Sequence, residues 1–279
     1  MMPHVLVLQH PVLSQCDLSV LNALQLPSAE INGSVLRIPV SATFRLPENA
    51  AAALERQRID HAVLPDSAFS DLGLMVSDMD STLITIECID EIAAGAGLKT
   101  QVAEITGQAM RGELDFEQSL RRRVALLTGL GEQVLQQVYE QVLQLSPGAG
   151  YLLAECKKHG VAFLLVSGGF TFFTGRLQQR LGFEYHHANV LEISDGRLTG
   201  KLTGSIIDAQ TKADLLAGYR EKLGLAEHQV AAVGDGANDI PMLLAAGTGI
   251  AYRAKPKVRQ HADACINFCG LEAVRGWFR

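Results

Sequence analysis

The stretch that most constrains this chain is Leu74-Met75-Val76-Ser77-Asp78-Met79-Asp80-Ser81-Thr82. A short apolar run ends in two aspartates one residue apart, followed by two hydroxyls. In a strand, residues i and i+2 point to the same side. Asp78 and Asp80 then face the space beyond the strand's carboxyl end, where open α/β sheets hold their ligands. Converging carboxylates repel each other unless a cation or a shared proton relieves them. The pairing is costly as structure and sensible as a metal or acid/base site.

The flanking sequence supplies a sheet for that strand. Gly150–His159 reads as a helix and Val161–Val166 as a buried strand that breaks at Ser167-Gly168-Gly169, with a helix from about Phe170 to Leu181. Val190–Ile193 and Arg197–Ser205 flank an Asp195-Gly196 hairpin turn. Thr211–Leu223 reads as a helix opened by a Thr211/Asp214 capping box, Gln229–Val233 as a strand, and Ile240–Ala245 as a helix. Gly249–Tyr252 and Ala264–Asn267 are further strands. Strands separated by helices, with polar residues just past their ends, predict an α/β fold built on a doubly wound parallel sheet.

Two segments break that rhythm. From about 85 to 150 the pattern is helical, with Asp90–Ala96, Lys99–Met110, Phe116–Thr128 and Gly131–Leu145 carrying apolar residues at three-to-four spacing. Such a block reads as a helical cap inserted over the strand end, within a core spanning 73–279. Residues 1–72 read as a separate small α/β lobe. Its strands are Val5–Gln9, Val35–Val40 and Ala62–Leu64, with helices at Leu18–Leu26 and from Pro47 to about Arg58. No cluster of catalytic residue types stands out in it, and a regulatory or oligomerisation lobe, with a possible homodimer, is the expectation.

A net charge of −6 over 279 residues argues against a nucleic-acid or basic membrane-surface protein. An anionic substrate would need positive charge concentrated locally. The amino terminus, Met1-Met2-Pro3-His4 and a short apolar run, lacks the basic start and long apolar core of a secretory leader. No apolar run is long enough to span a membrane. The five cysteines are scattered without a Cys-x-x-Cys, which fits free thiols in a cytoplasmic protein.

Three further groups would gather near Asp78 and Asp80. Ser167, with the Gly168 amide, sits between a buried strand and a helix, where hydroxyl and N–H groups can cradle an anion; an ordinary turn is the alternative. Lys212 falls in the first turn of its helix, where the macrodipole disfavours a cation unless an anion is held nearby. Gly234-Asp235-Gly236-Ala237-Asn238-Asp239 is either a turn rich in turn-forming residues or the other half of an oxygen-ligand site of the Mg²⁺ kind. Taken together, these groups point to phosphoryl chemistry.

In this order, Asp78-Met79-Asp80-Ser81-Thr82, Ser167-Gly168-Gly169-Phe170, Lys212 and Gly234–Asp239 resemble the four motifs of the haloacid dehalogenase superfamily of phosphatases. Glu87-Cys88-Ile89-Asp90-Glu91-Ile92-Ala93 and Gly112–Val124 are similar to the cap of the branch acting on L-phosphoserine, at the last step of serine biosynthesis. The resemblance covers about 73–279. Upstream, larger members carry a lobe that is sometimes ACT-like.

The resemblance implies Asp78 as nucleophile, forming an aspartyl phosphate, and Asp80 as acid and then base. It implies Mg²⁺ on the Asp78 and Asp235 carboxylates and the Asp80 main-chain carbonyl, supported by Asp239. Ser167, Gly168 and Lys212 would hold the phosphoryl oxygens, with Asn238 orienting them. In the cap, Glu87 would receive the substrate ammonium and Arg123 its carboxylate, with Arg121 and Arg122 as close decoys. Met110 and Phe116 would be apolar walls.

A phosphorylatable signalling receiver shares the acidic residues, hydroxyl and lysine but lacks an inserted cap and needs no Asp80 acid. A phosphatase for phosphothreonine, a sugar phosphate or a phospholipid base is the nearer rival. A dinucleotide-binding oxidoreductase would need a Gly-x-Gly-x-x-Gly after the first sheet strand, and none is there.

Overall fold

The computed structural model describes residues 3–279; Met1 and Met2, which open the stretch read as no secretory leader, lie outside the described residues. Two sheets organise the chain. The first is four-stranded and wholly antiparallel: β1 (His4–Gln9), β2 (Ile31–Asn32), β3 (Val35–Val40) and β4 (Asp60–Pro65), in the order β2-β3-β1-β4. Helix α1 (Glu48–Arg56) connects β3 to β4. Where a first helix was expected at Leu18–Leu26 there is only 3₁₀ structure, Ser19–Leu24. With that segment in the first helix's place, the topology is the split β-α-β of ferredoxin-like folds.

Strand alternation explains why this lobe does not stand apart. Leu6, Leu8, Leu36 and Ile38 point to one face, where Leu54 of α1 covers them. Val5, Val7, Ala62 and Leu64 point to the other and join the main core with Phe69, Trp277 and Phe278. The carboxylate of Asp60, 1% exposed, accepts hydrogen bonds from the main-chain amides of Asn267 (2.7 Å), Phe268 (3.2 Å) and Cys269 (2.9 Å). Arg37 donates to the Gly276 carbonyl at 3.0 Å.

The second sheet has seven strands. In chain order they are β5 (Leu74–Ser77), β6 (Ala162–Phe170), β7 (Tyr185–Ser194), β8 (Arg197–Thr203), β9 (Val230–Gly234), β10 (Thr248–Tyr252) and β11 (Ala264–Ile266). Their order is β11-β10-β9-β5-β6-β7-β8, parallel throughout except for the β7–β8 hairpin. The hairpin turns on Asp195 and Gly196, with φ of 51° and 70°. From β5 the chain steps one way to β6 and β7, and later the other way to β9, β10 and β11. The switch point therefore lies at the carboxyl end of β5. Central strands are apolar on both faces: Leu74, Val76, Leu164 and Val166 pack into one cluster, and Met75, Phe163, Leu165 and Val233 into the other.

Between β5 and β6 lie α2 (Cys88–Gly95), α3 (Lys99–Met110), α4 (Phe116–Ala125), α5 (Gln133–Gln137) and a wide turn over Val138–Val142. Helix α4 starts at a capping box in which Asp115 accepts from the Gln118 amide at 2.8 Å. Helices α6 (Ala149–His159), α7 (Thr171–Leu181), α8 (Ala209–Lys222) and α9 (Ile240–Ala245) flank the sheet, followed by the short α10 (Pro256–Arg259) and α11 (Glu272–Gly276). Among the described residues no helix is long and apolar enough to cross a membrane.

Three local expectations need correction. Strand β5 ends at Ser77, so Asp78 and Asp80 lie just beyond it in a turn; only the Asp78 amide extends the ladder, bonding the Val233 carbonyl at 3.0 Å. The cap of α8 is Asp208, which accepts from the Thr211 amide at 2.8 Å, not a Thr211/Asp214 box. Extended backbone runs on through Ser167-Gly168-Gly169 to Phe170, so any anion cradle there belongs to a strand end rather than to the first turn of α7.

Candidate active site

Above the switch point is a cleft of about 510 Å³, walled below by sheet loops and above by α2, α3 and α4. Its floor carries Asp78, Asp80 and Asp235 and its roof Glu87, Asp90 and Arg123, with Met110 and Phe116 as apolar walls. Gly168 and Asn238 also line it.

The turn after β5 builds the floor. Asp80 is extended (φ −65°, ψ 135°), while Ser81 is left-handed at φ 56°, which bends the chain back over the site. Asp80 Oδ1 accepts from the Cys88 amide at 3.0 Å, and its Oδ2 lies 3.5 Å from Ser167 Oγ. Gly169 makes room for it, since a Cβ there would lie 2.6 Å from Asp80 Oδ2. Burial, with help from the Glu87 charge, pushes the Asp80 carboxyl up to about 7. An acid of that strength can give and take a proton near neutrality.

Beneath the floor lies a charged cluster closed to solvent. Lys212 Nζ bonds Asp78 Oδ1 at 2.5 Å and Asp239 Oδ1 at 2.7 Å. The other oxygen of Asp239 accepts from the Asp235 and Gly236 amides at 3.1 and 2.9 Å, so that carboxylate is fully engaged. Asp235 takes a hydrogen bond from Thr82 Oγ1 at 3.0 Å. Burial raises Asp78 well above the usual carboxylate range, reinforced by Asp239 and opposed by Lys212. Burial and the Asp239 charge push Asp235 up to about 6. For Lys212, burial favours the neutral amine, but Asp239 and Asp78 outweigh it and hold the ammonium firmly protonated.

One carboxylate oxygen each from Asp78, Asp235 and Asp239 lies within 4.8 Å of the others. An all-oxygen set carrying excess negative charge fits a hard divalent cation.

Ser167 and Lys212 are both fully buried. They lie under the cleft rather than on its wall, and Ser167 Oγ is occupied by the Gly169 amide at 2.8 Å. In the roof, register separates the three arginines. Arg121 is exposed and paired to Glu117 at 2.7 Å, and Arg122 is exposed too, whereas Arg123 turns into the cleft. Ser81 Oγ donates to Glu87 Oε1 at 2.7 Å, joining roof to floor.

Several site residues were missed from the sequence. Asn189 is 1% exposed; its amide donates to the Gly168 carbonyl at 2.8 Å and its carbonyl accepts from the Ile207 amide at 2.9 Å. It thereby fixes the Ser167-Gly168 strand end from β7, and among the other polar residues of that strand nothing singled it out. Asp90, three residues after Glu87 on one helix turn, was legible by spacing. Thr82 stood in the first motif without an assigned partner, and the Cys88 amide carried no signal.

A doubly wound sheet with a helical roof at its switch point, over buried carboxylates and one lysine, defines a capped α/β enzyme. The chain belongs to the haloacid dehalogenase-like hydrolase family, whose sequence profile matches residues 75–244. It is 50% identical over 215 residues to a phosphoserine phosphatase of Polaromonas sp., covering 75% of this chain and 91% of that protein. The crystal structure of a HAD family hydrolase from Salmonella enterica serovar Typhi superposes with a TM-score of 0.89 at 34% identity, covering 100% of this chain and 98% of that one. A probable phosphoserine phosphatase from Vibrio cholerae, in unliganded form, gives 0.84 at 38% identity over 98% of this chain and 85% of that one.

Proposed function

We propose that the protein hydrolyses L-phosphoserine to L-serine and phosphate through an aspartyl phosphate on Asp78, supplying serine at the end of its biosynthesis. The observation that carries this reading is the cleft itself. A buried nucleophile and a carboxyl near neutrality face a roof in which one guanidinium, Arg123, stands with two carboxylates, Glu87 and Asp90. That charge pattern suits an amino acid esterified to phosphate.

In the mechanism, an Asp78 oxygen attacks phosphorus in line as the bond to the serine oxygen breaks. Asp80 hands its proton to that departing oxygen. Serine leaves, and Asp80, now a base, takes a proton from the water that attacks the acyl phosphate, releasing phosphate and restoring Asp78. Lys212 neutralises charge on Asp78 and on the transferred group, while Ser167 and the Gly168 amide offer donors after a small rearrangement of the Ser167–Gly169 contact. Asn238 orients the phosphoryl oxygens from the opposite loop. Positioning and charge neutralisation carry most of such transfers. Asp78, Asp235 and the Asp80 main-chain carbonyl would hold Mg²⁺, with Asp239 fixing that loop from behind. When bound, the ion supplies positive charge to an otherwise over-acidic floor.

The ferredoxin-like topology of the sheet between His4 and Pro65 supports an ACT-like, regulatory role for the lobe of residues 1–72, tested by assaying turnover with added L-serine. A homodimer is part of the same proposal and is read by light scattering. Five free thiols support a reducing compartment such as the cytoplasm.

The test is phosphate release from L-phosphoserine, L-phosphothreonine and an aryl phosphate after chelation, with and without added Mg²⁺. Mg²⁺-dependent turnover favouring phosphoserine is expected. Equal turnover of all three overturns the roles of Glu87 and Arg123, and no turnover overturns the phosphatase reading.

A further inference from the structure

The cleft lining holds five carboxylates, Asp78, Asp80, Glu87, Asp90 and Asp235, in a chain whose net charge is already −6. Such a mouth repels a phosphomonoester dianion. Its cations are Arg123 in the roof and two residues absent from the motifs, Lys255 and Lys257, on the rim opposite. Both lysines are exposed, and among the described residues neither makes an ion pair.

Their placement is built into the backbone. Arg253 leaves β10 in a left-handed conformation (φ 47°), sparsely populated for a residue with a side chain. It is held there by its amide on the Ile266 carbonyl at 2.7 Å and its guanidinium on the Cys269 carbonyl at 3.3 Å. The reversal carries the chain over the switch point. Pro256 then opens α10 in the position that suits proline, and Val258, 1% exposed, anchors the turn in the core. Lys255 and Lys257 flank Pro256 and are left at the cleft mouth.

We propose that Lys255 and Lys257 form an electrostatic capture site that draws the substrate's phosphate dianion past the carboxylates toward Asp78. The proposal rests on the phosphomonoesterase reading above. Lysines suit this task, because a hydrated point charge on a long stem attracts without fixing a geometry. A charged cleft raises local substrate concentration and encounter rate by about 10- to 1,000-fold, an effect that salt screens. Two lysines on an open rim belong at the lower end.

The test compares wild type, the double variant Lys255→Gln/Lys257→Gln and the double variant Lys255→Arg/Lys257→Arg over a range of ionic strength. With phosphoserine, the Gln variant should lose about tenfold in kcat/KM at low salt while kcat moves less than about twofold. Its salt dependence should be shallower than that of wild type, and the Arg variant should restore both. Competitive inhibition by inorganic phosphate should weaken in parallel. Equal kcat/KM for wild type and the Gln variant, or parallel salt curves, would overturn the capture role. Phosphate inhibition does not depend on which alcohol leaves, so it still reads the lysines if wild type turns over aryl phosphate and not phosphoserine. That outcome would sink the substrate assignment alone.

Discussion

Replacing Asp78 by asparagine should abolish turnover and, in metal-free protein, raise the melting temperature. The carboxylate oxygens of Asp78, Asp235 and Asp239 lie within 4.8 Å of one another, and Lys212 serves as cation to both Asp78 and Asp239. At an effective dielectric of about 20, a second carboxylate within 4.8 Å opposes the Asp78 charge by at least about 3.5 kcal/mol, so two oppose it by at least about 7. Lys212 at 2.5 Å returns about 7. These contributions at best cancel, which leaves the desolvation of a buried ion, several kcal/mol, without an offset.

Asparagine keeps the volume, still accepts from Lys212 and removes that burden. A gain of at least about 1 kcal/mol, or about 2–4 °C in a chain of this size, is expected in chelator-treated protein by thermal denaturation. Because the folded-state pKa of Asp78 lies above its unfolded value, the folded protein holds the extra proton more tightly. The advantage of the variant is therefore full above the folded-state pKa of Asp78 and shrinks as the pH falls from there toward the ordinary carboxylate range. Adding Mg²⁺ should reverse the ranking, since saturation to a hundred times Kd stabilises wild type by about 2.7 kcal/mol and the variant by less. A metal-free variant that melts below wild type would refute the reasoning and make the Lys212 pair a net stabiliser.

Asp80→Asn should slow phosphoserine far more than an aryl phosphate in single-turnover formation of the aspartyl phosphate, because an aryl oxide leaves without a proton; equal losses would remove Asp80 from the acid role. Arg123→Ala should lower kcat/KM for phosphoserine about 10- to 100-fold while Arg121→Ala leaves it within about twofold, as expected if only Arg123 contributes a charge-assisted contact of about 1.5–3 kcal/mol. Asp60→Ala leaves the amides of Asn267, Phe268 and Cys269 unpaired and should lower stability by about 3–5 kcal/mol in chemical denaturation, with kcat at 25 °C little changed.

The sheet was legible because its strands are buried on both faces and therefore continuously apolar, as in Val161–Val166 and Val230–Val233. Helices of several full turns were read almost to the residue: Lys99–Met110 coincides in pattern and structure. Short elements escaped. Nothing periodic marks α10 or α11, because four or five residues cannot complete a pattern. The Leu18–Leu26 helix failed for another reason: its leucines pack equally well in a 3₁₀ segment, and the periodicity does not discriminate. At the site, spacing grouped residues that share a local segment. Contacts across long sequence separations, such as Asn189 with Gly168 and Thr82 with Asp235, left no trace in any one stretch.

The helical roof enters and leaves the sheet through one narrow ribbon. Thr85 donates to the Gln144 carbonyl at 3.0 Å, Ser146 donates to the Leu83 carbonyl at 3.0 Å, and Ile84 pairs with Leu145 between them. Glu87 and Arg123, proposed to read the amino-acid end of the substrate, hang beyond that ribbon, whereas Asp78, Lys212 and Asp235 belong to the sheet side. In evolutionary terms the roof is a cassette. A lineage could exchange residues 85–144 for a different insertion and change what is dephosphorylated without disturbing how, and the two halves of the enzyme can diverge at separate rates.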